Sequence, residues 1–84
     1  MSFRLTSLPG RETPAQRLSA ILSQPGRTVG LIGNTLLLVT CDDDAAVAEF
    51  RAQLPHGLAI RKFRGHRLVP THDTPHQFIL EIYP

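Results

Sequence analysis

The sequence predicts an α+β fold: a two-layer sandwich, with a mixed sheet of four to five strands and two helices on one of its faces. Three features of the stretch 28–54 point there. Leu36, Leu37, Leu38 and Val39 follow one another, so both faces of that strand are apolar, as in a strand near the middle of a sheet. Gly33-Asn34 divides residues 28–32 from 35–40, a two-residue link able to take positive φ and close a hairpin. Asp42, Asp43 and Asp44 then open a helix, because a carboxylate accepts from free backbone N–H groups and suits the positive helix end. Val47, Phe50 and Leu54 fall on one stripe of that helix, with Glu49, Arg51 and Gln53 off it.

In chain order, residues 3–8 alternate well enough to form a first strand, and Pro9-Gly10 marks a turn. Thr13-Pro14-Ala15-Gln16 reads as a helix start: Thr caps, Pro takes the first helical position, and Gln completes a capping box. Leu18, Ile21 and Leu22 supply the buried stripe, and Pro25-Gly26 ends the helix. After the hairpin, Pro55-His56-Gly57 is expected to stop the second helix. Residues 58–63 read as the next strand, 70–75 as a polar loop, and 78–83 as a last strand with Phe78, Leu80 and Ile82 on one face. The order is strand, helix, hairpin, helix, strand, strand.

Strand–helix–strand crossovers are right-handed in nearly all sheets, so both helices are expected on the same side. Two short helices do not cover both faces of such a sheet. Leu37 and Val39 lie opposite Leu36 and Leu38, and Ile79 and Tyr83 lie opposite Phe78 and Leu80. One apolar set is therefore left for a partner, and Leu37, Val39, Ile79 and Tyr83 are the expected contact residues. Arg, Gln and loop side chains laid over the sheet are the alternative cover.

Eighty-four residues make one domain, close to the smallest that folds without staples. The single cysteine, Cys41, excludes an internal disulfide framework and suits a reducing compartment, so a cytoplasmic location is expected. No apolar run reaches the length of a membrane span, and the opening residues lack the apolar core of a signal peptide. A net charge of +2 is too small to imply nucleic acid by itself.

Candidate chemistry is sparse. Arg61, Lys62, Arg64 and Arg67, with Phe63 among them, form a basic run that suits a phosphate backbone or an acidic protein surface, Phe63 serving as a stacking platform. The plainer alternative is a solvated strand end and turn, with Phe63 buried through a bulge. Cys41-Asp42-Asp43-Asp44 suggests a carboxylate metal site or a reactive thiol, yet capping accounts for the acids and packing for the cysteine. His66, His72 and His76 with Asp73 invite a metal reading, but Pro75 makes their segment a loop without a second ligand pair. No metal, cofactor or catalytic residue is assigned.

The frame Gly10-Arg11-Glu12-Thr13-Pro14 ahead of a helix, residues 35–44 running from a strand into a second helix, and the closing strands resemble the small sulfur-carrier proteins of the TusA/SirA type. The resemblance covers most of the chain as layout and implies a two-layer sandwich; a ferredoxin-like order, βαββαββ, fits the hairpin as well. The family's sulfur-carrying Cys falls at Thr13, and the second Pro of its motif at Gln16. A hydroxyl holds no persulfide, so the resemblance implies at most a degenerate carrier.

The expected function is that of a non-catalytic protein-binding module: a small regulator, adaptor or inhibitor that presents a sheet face or edge to another protein or to a second copy. Its size also suits an inhibitor carried by a phage or other mobile element. Nucleic-acid binding through residues 61–67 is the alternative, and no membrane partner is expected.

Overall fold

Thr13 opens helix α1 (Pro14–Leu22) through the expected capping box: its hydroxyl accepts from the Gln16 N–H at 3.2 Å, and its own N–H donates to Gln16 Oε1 at 2.8 Å. The structure, a computed structural model, describes residues 13–83, so the first strand expected over 3–8 lies outside the described residues. Ala15, Leu18 and Leu22 form the buried side of α1.

Strands β1 (Arg27–Ile32) and β2 (Leu36–Cys41) pair antiparallel with Ile32 opposite Leu36. The link is therefore three residues, Gly33, Asn34 and Thr35, rather than the expected two, and only Gly33 has positive φ (68°). The physical reason lies across the sheet. The Thr35 carbonyl accepts from the Ile82 N–H at 2.9 Å, which draws Thr35 into pairing on the far side of β2.

Helix α2 (Asp44–Arg61) is capped by Asp43, whose carboxylate accepts from the Ala46 N–H at 2.9 Å. The expected stop at Pro55 and the expected strand over 58–63 are both overturned, because the helix runs 18 residues through Pro55. Its buried side, Phe50, Leu54, Gly57 and Leu58, continues at helical spacing beyond the proline. Pro55 itself is exposed, so its lost hydrogen bond falls on the solvent side while packing holds the other. The helix ends instead at Lys62, in the left-handed region at φ 59° and ψ 49°. The Lys62 N–H reaches the Ala59 carbonyl at 3.3 Å and the Phe63 N–H the Leu58 carbonyl at 3.4 Å, the paired bonds of a Schellman ending. Strands β3 (Gly65–Pro70) and β4 (Gln77–Tyr83) follow.

The sheet order is β1-β2-β4-β3, with all three pairings antiparallel. A mixed sheet would need the strand expected over 3–8, outside the described residues. Both helices pack on one face, giving the expected two-layer α+β sandwich. The registers place Leu37 against Leu80 and Val39 against Phe78, beneath Leu18, Leu22, Phe50, Leu54 and Leu58. No helix among the described residues is long and apolar enough to cross a membrane.

Arg27 joins the two layers from the end of β1. Only 7% exposed, it donates from Nε to the Leu22 carbonyl at the end of α1 and from Nη2 to Gln53 Oε1 on α2. Its guanidinium carbon lies 5.4 Å from the centre of the Phe50 ring. Gln53 in turn donates to Gln24 Oε1 at 3.0 Å. The cation thus sits among a helix carbonyl, two amides and a π-face, where an apolar replacement would take the donor from two acceptors, the Leu22 carbonyl and Gln53 Oε1.

Two variants test the α2 account. Gly57 packs against α1, and a Cβ there would meet Leu18, Ile21 and Leu22 at 3.5–3.7 Å, ordinary contact distances. Gly57→Ala is expected to raise stability by about 0.5–1 kcal/mol through helix propensity alone. Lys62→Gly, which relieves a left-handed side chain, is expected to gain a similar amount, about 0.5–1 kcal/mol. Urea unfolding midpoints with unchanged slope check both.

Candidate functional site

The opposite face of the sheet carries no helix among the described residues. Strand alternation and register set its rows. Ile32, Leu36, Glu81 and Arg67 cross it in one row; Gly30, Leu38, Ile79 and Val69 in the next; and Thr28, Thr40 and Gln77 in a third. An apolar band of Ile32, Leu36, Leu38, Ile79 and Val69 therefore runs across all four strands. Ile32 is 43% exposed and the other four are half-buried by their neighbours in the sheet.

Polar groups border the band on both sides. At one end Gln77 donates to the Thr40 hydroxyl at 3.1 Å, and the Thr71 hydroxyl donates to Gln77 Oε1 at 3.1 Å. At the other, Arg67 Nε lies 3.8 Å from Glu81 Oε1, and the Tyr83 hydroxyl donates to the same carboxylate at 2.8 Å. Tyr83 also covers Gly65 on β3, where an added Cβ would come within 3.3 Å of the ring. The open face thus combines an apolar centre with a hydrogen-bonded polar rim.

Leu37 and Val39 do not belong to this surface. Both are 0% exposed beneath the helices, and their places are taken by Leu36 and Leu38. Ile79 and Tyr83 lie on the open face, Tyr83 at its edge and 41% exposed. The unbroken apolar run in β2 gives no alternation from which its faces could be told apart. Val69 and Ile32, absent from the expected set, become visible only through the register.

The basic run does not form one surface. Arg61 is half-buried in the last turn of α2 and Lys62 terminates the helix. Phe63 packs against the core rather than offering a stacking platform, because the Schellman bond places it over Leu58. The Arg64 N–H donates to the Tyr83 carbonyl at 2.8 Å, and Arg67 alone reaches the open face.

The remaining candidates separate similarly. His76 holds Asp44 Oδ1 at 2.7 Å, tying the β3–β4 connection to the start of α2, while His66 and His72 are exposed elsewhere. No group of three or more His, Cys, Asp or Glu among the described residues is placed to hold a metal ion. Cys41 is buried and its thiol is pushed above its ordinary range, chiefly by burial, with Asp42 and Asp43 adding to the shift and Arg27 opposing it. A reactive or sulfur-carrying thiol requires a shift the other way. Comparison with protein-family models, curated proteins and solved structures finds no match.

The rim offers a direct spectroscopic test. The Tyr83 phenol is held above its ordinary range, first by the hydrogen bond to Glu81 and then by desolvation and the carboxylate's charge, against a smaller opposing effect of Arg67. Tyr83 is the one tyrosine in the sequence and there is no tryptophan, so alkaline difference absorbance reads it alone. Its midpoint is expected above about 10, and Glu81→Ala is expected to bring it back toward that value.

Proposed function

We propose that this chain is a non-catalytic protein-binding module, a small regulator, adaptor or inhibitor that receives another protein on its open sheet face. The observation that supports this reading most is the apolar band of Ile32, Leu36, Leu38, Val69 and Ile79, framed by Thr40–Gln77 on one side and Arg67–Glu81–Tyr83 on the other. Burying the band would remove apolar area from water, while the rim groups fix the orientation of what covers it. The Arg67–Glu81 pair is largely exposed and adds little to stability, so its value lies in selecting a partner. A reducing, cytoplasmic setting suits the lone thiol of Cys41.

Nucleic-acid binding is the weaker reading, since Arg61, Lys62, Arg64 and Arg67 are spread over a helix end, a turn and a sheet face. The test uses the folded protein as bait in extract of its source cell. Leu38→Glu and Ile79→Glu are expected to reduce capture of the bound protein at least tenfold, each keeping a cooperative thermal transition. Lys62→Ala with Arg64→Ala is expected to leave capture intact. The reverse pattern, with capture lost in the basic variant and kept in the face variants, would overturn the assignment.

A further inference from the structure

The two ends of the sandwich are unlike. The registers bring Ile32, Leu36, Glu81 and Arg67 level, with Tyr83 and Gly65 beyond them. The Thr35 carbonyl, bonded to the Ile82 N–H, brings the β1–β2 link to that end, and the Arg64 N–H, bonded to the Tyr83 carbonyl, brings the turn after α2 there too. At the other end the Asp42 N–H donates to the Gly26 carbonyl and the Cys41 N–H to the His76 carbonyl, both at 2.8 Å, and His76 holds Asp44. Charge divides the same way. Arg61, Lys62, Arg64 and Arg67 stand at the first end with Glu81, while Asp42, Asp43, Asp44 and Asp73 stand at the second. Exposed apolar surface follows the cations. Leu31, Ile32, Ile60 and Tyr83, the exposed large hydrophobics of the described residues at 41–50%, all lie at the basic end.

We propose that the basic end docks on an anionic lipid surface. From Leu36 to Cys41 the ends are about 17 Å apart at the rise of a strand. The screening length is about 8 Å at physiological salt, so an approaching surface meets the basic end rather than the net charge. The cations are dispersed over a helix terminus, a turn and a strand, around this end rather than on one face. A bilayer surface reaches them all without a shaped partner. Its phosphates and carboxylates meet the cations, and its headgroup–acyl boundary takes Leu31, Ile32 and Ile60. Tyr83, an apolar ring with its hydroxyl bonded to Glu81, suits the same boundary. The acidic end is repelled and points away, which sets the orientation. A polynucleotide would satisfy the charges alone, because bases stack on aromatic rings and three of the four exposed side chains are aliphatic. Contact at the surface needs no spanning helix. The proposal departs from the sequence expectation of no membrane partner, since nothing in the chain order sets Leu31, Ile32 and Ile60 apart from buried residues. Leu38 and Ile79, at the centre of the docking face, take no part, so either assignment can fail without the other.

The experiment sediments the full chain with vesicles of phosphatidylcholine alone or of equal parts phosphatidylcholine and phosphatidylserine. Partition is expected to be at least tenfold stronger on the phosphatidylserine vesicles and to fall as salt is raised. Lys62→Ala with Arg64→Ala, and separately Leu31→Ser with Ile60→Ser, are expected to lower it at least fivefold with the thermal transition intact. Leu38→Glu is expected to leave it unchanged. The chain has no tryptophan, so Leu31→Trp and Ala45→Trp each report one position. Phosphatidylserine vesicles are expected to shift the emission of the first to the blue and to leave the second, at the acidic end, as it is in buffer. Equal sedimentation with both vesicles or with neither would overturn the proposal, as would partition indifferent to the Leu31 and Ile60 changes. So would a matching blue shift in Ala45→Trp, or tighter binding to a mixed oligonucleotide than to the phosphatidylserine vesicles.

Discussion

Everything in this molecule depends on the cross-strand contact of Leu37 with Leu80 and Val39 with Phe78 under the two helices. These pairs set which side of the sheet is roofed. A strand has period two, so once Leu37 and Val39 face the helices, Leu36 and Leu38 must face away. Burial on one side and an apolar band on the other are thus one event seen from two directions. The helices cannot serve both, and the band is what their geometry leaves.

The junction between layers is held differently. Arg27 reaches from a strand end to the last turn of α1 and to the middle of α2. A helix carbonyl end is electronegative, which suits a cation placed against Leu22. The arrangement orders three elements with one side chain. It also keeps β1 free of outward charge.

Local chemistry carried much of this fold in the sequence. The capping box at Thr13 and Gln16, the Asp43 cap, and the alternation of Phe78, Leu80 and Ile82 are each readable from a few adjacent residues, and each forms. The failures share a cause. Pro55 and Gly57 are helix-breaking by propensity, but the α1 contact with Gly57 and the burial of Leu54 and Leu58 lie in tertiary structure and override it. Extending that helix moved the next strand from 58–63 to Gly65–Pro70 and took Phe63 away from solvent. For the candidate face, Ile79 and Tyr83 were legible because β4 alternates. Leu36 and Leu38 were not, since four consecutive apolar residues offer no phase, and the partner strand alone supplies it.

The strand order has a bearing on how the molecule is made. β4 is the last of the described strands in the sequence, yet it lies between β2 and β3. Until residues 77–83 have left the ribosome, β3 lacks its one partner among the described strands and β2 is bonded along one edge only, to β1. Closure of the described sheet therefore waits for its last strand, and the emerging chain spends that interval with the apolar run of β2 in need of shelter.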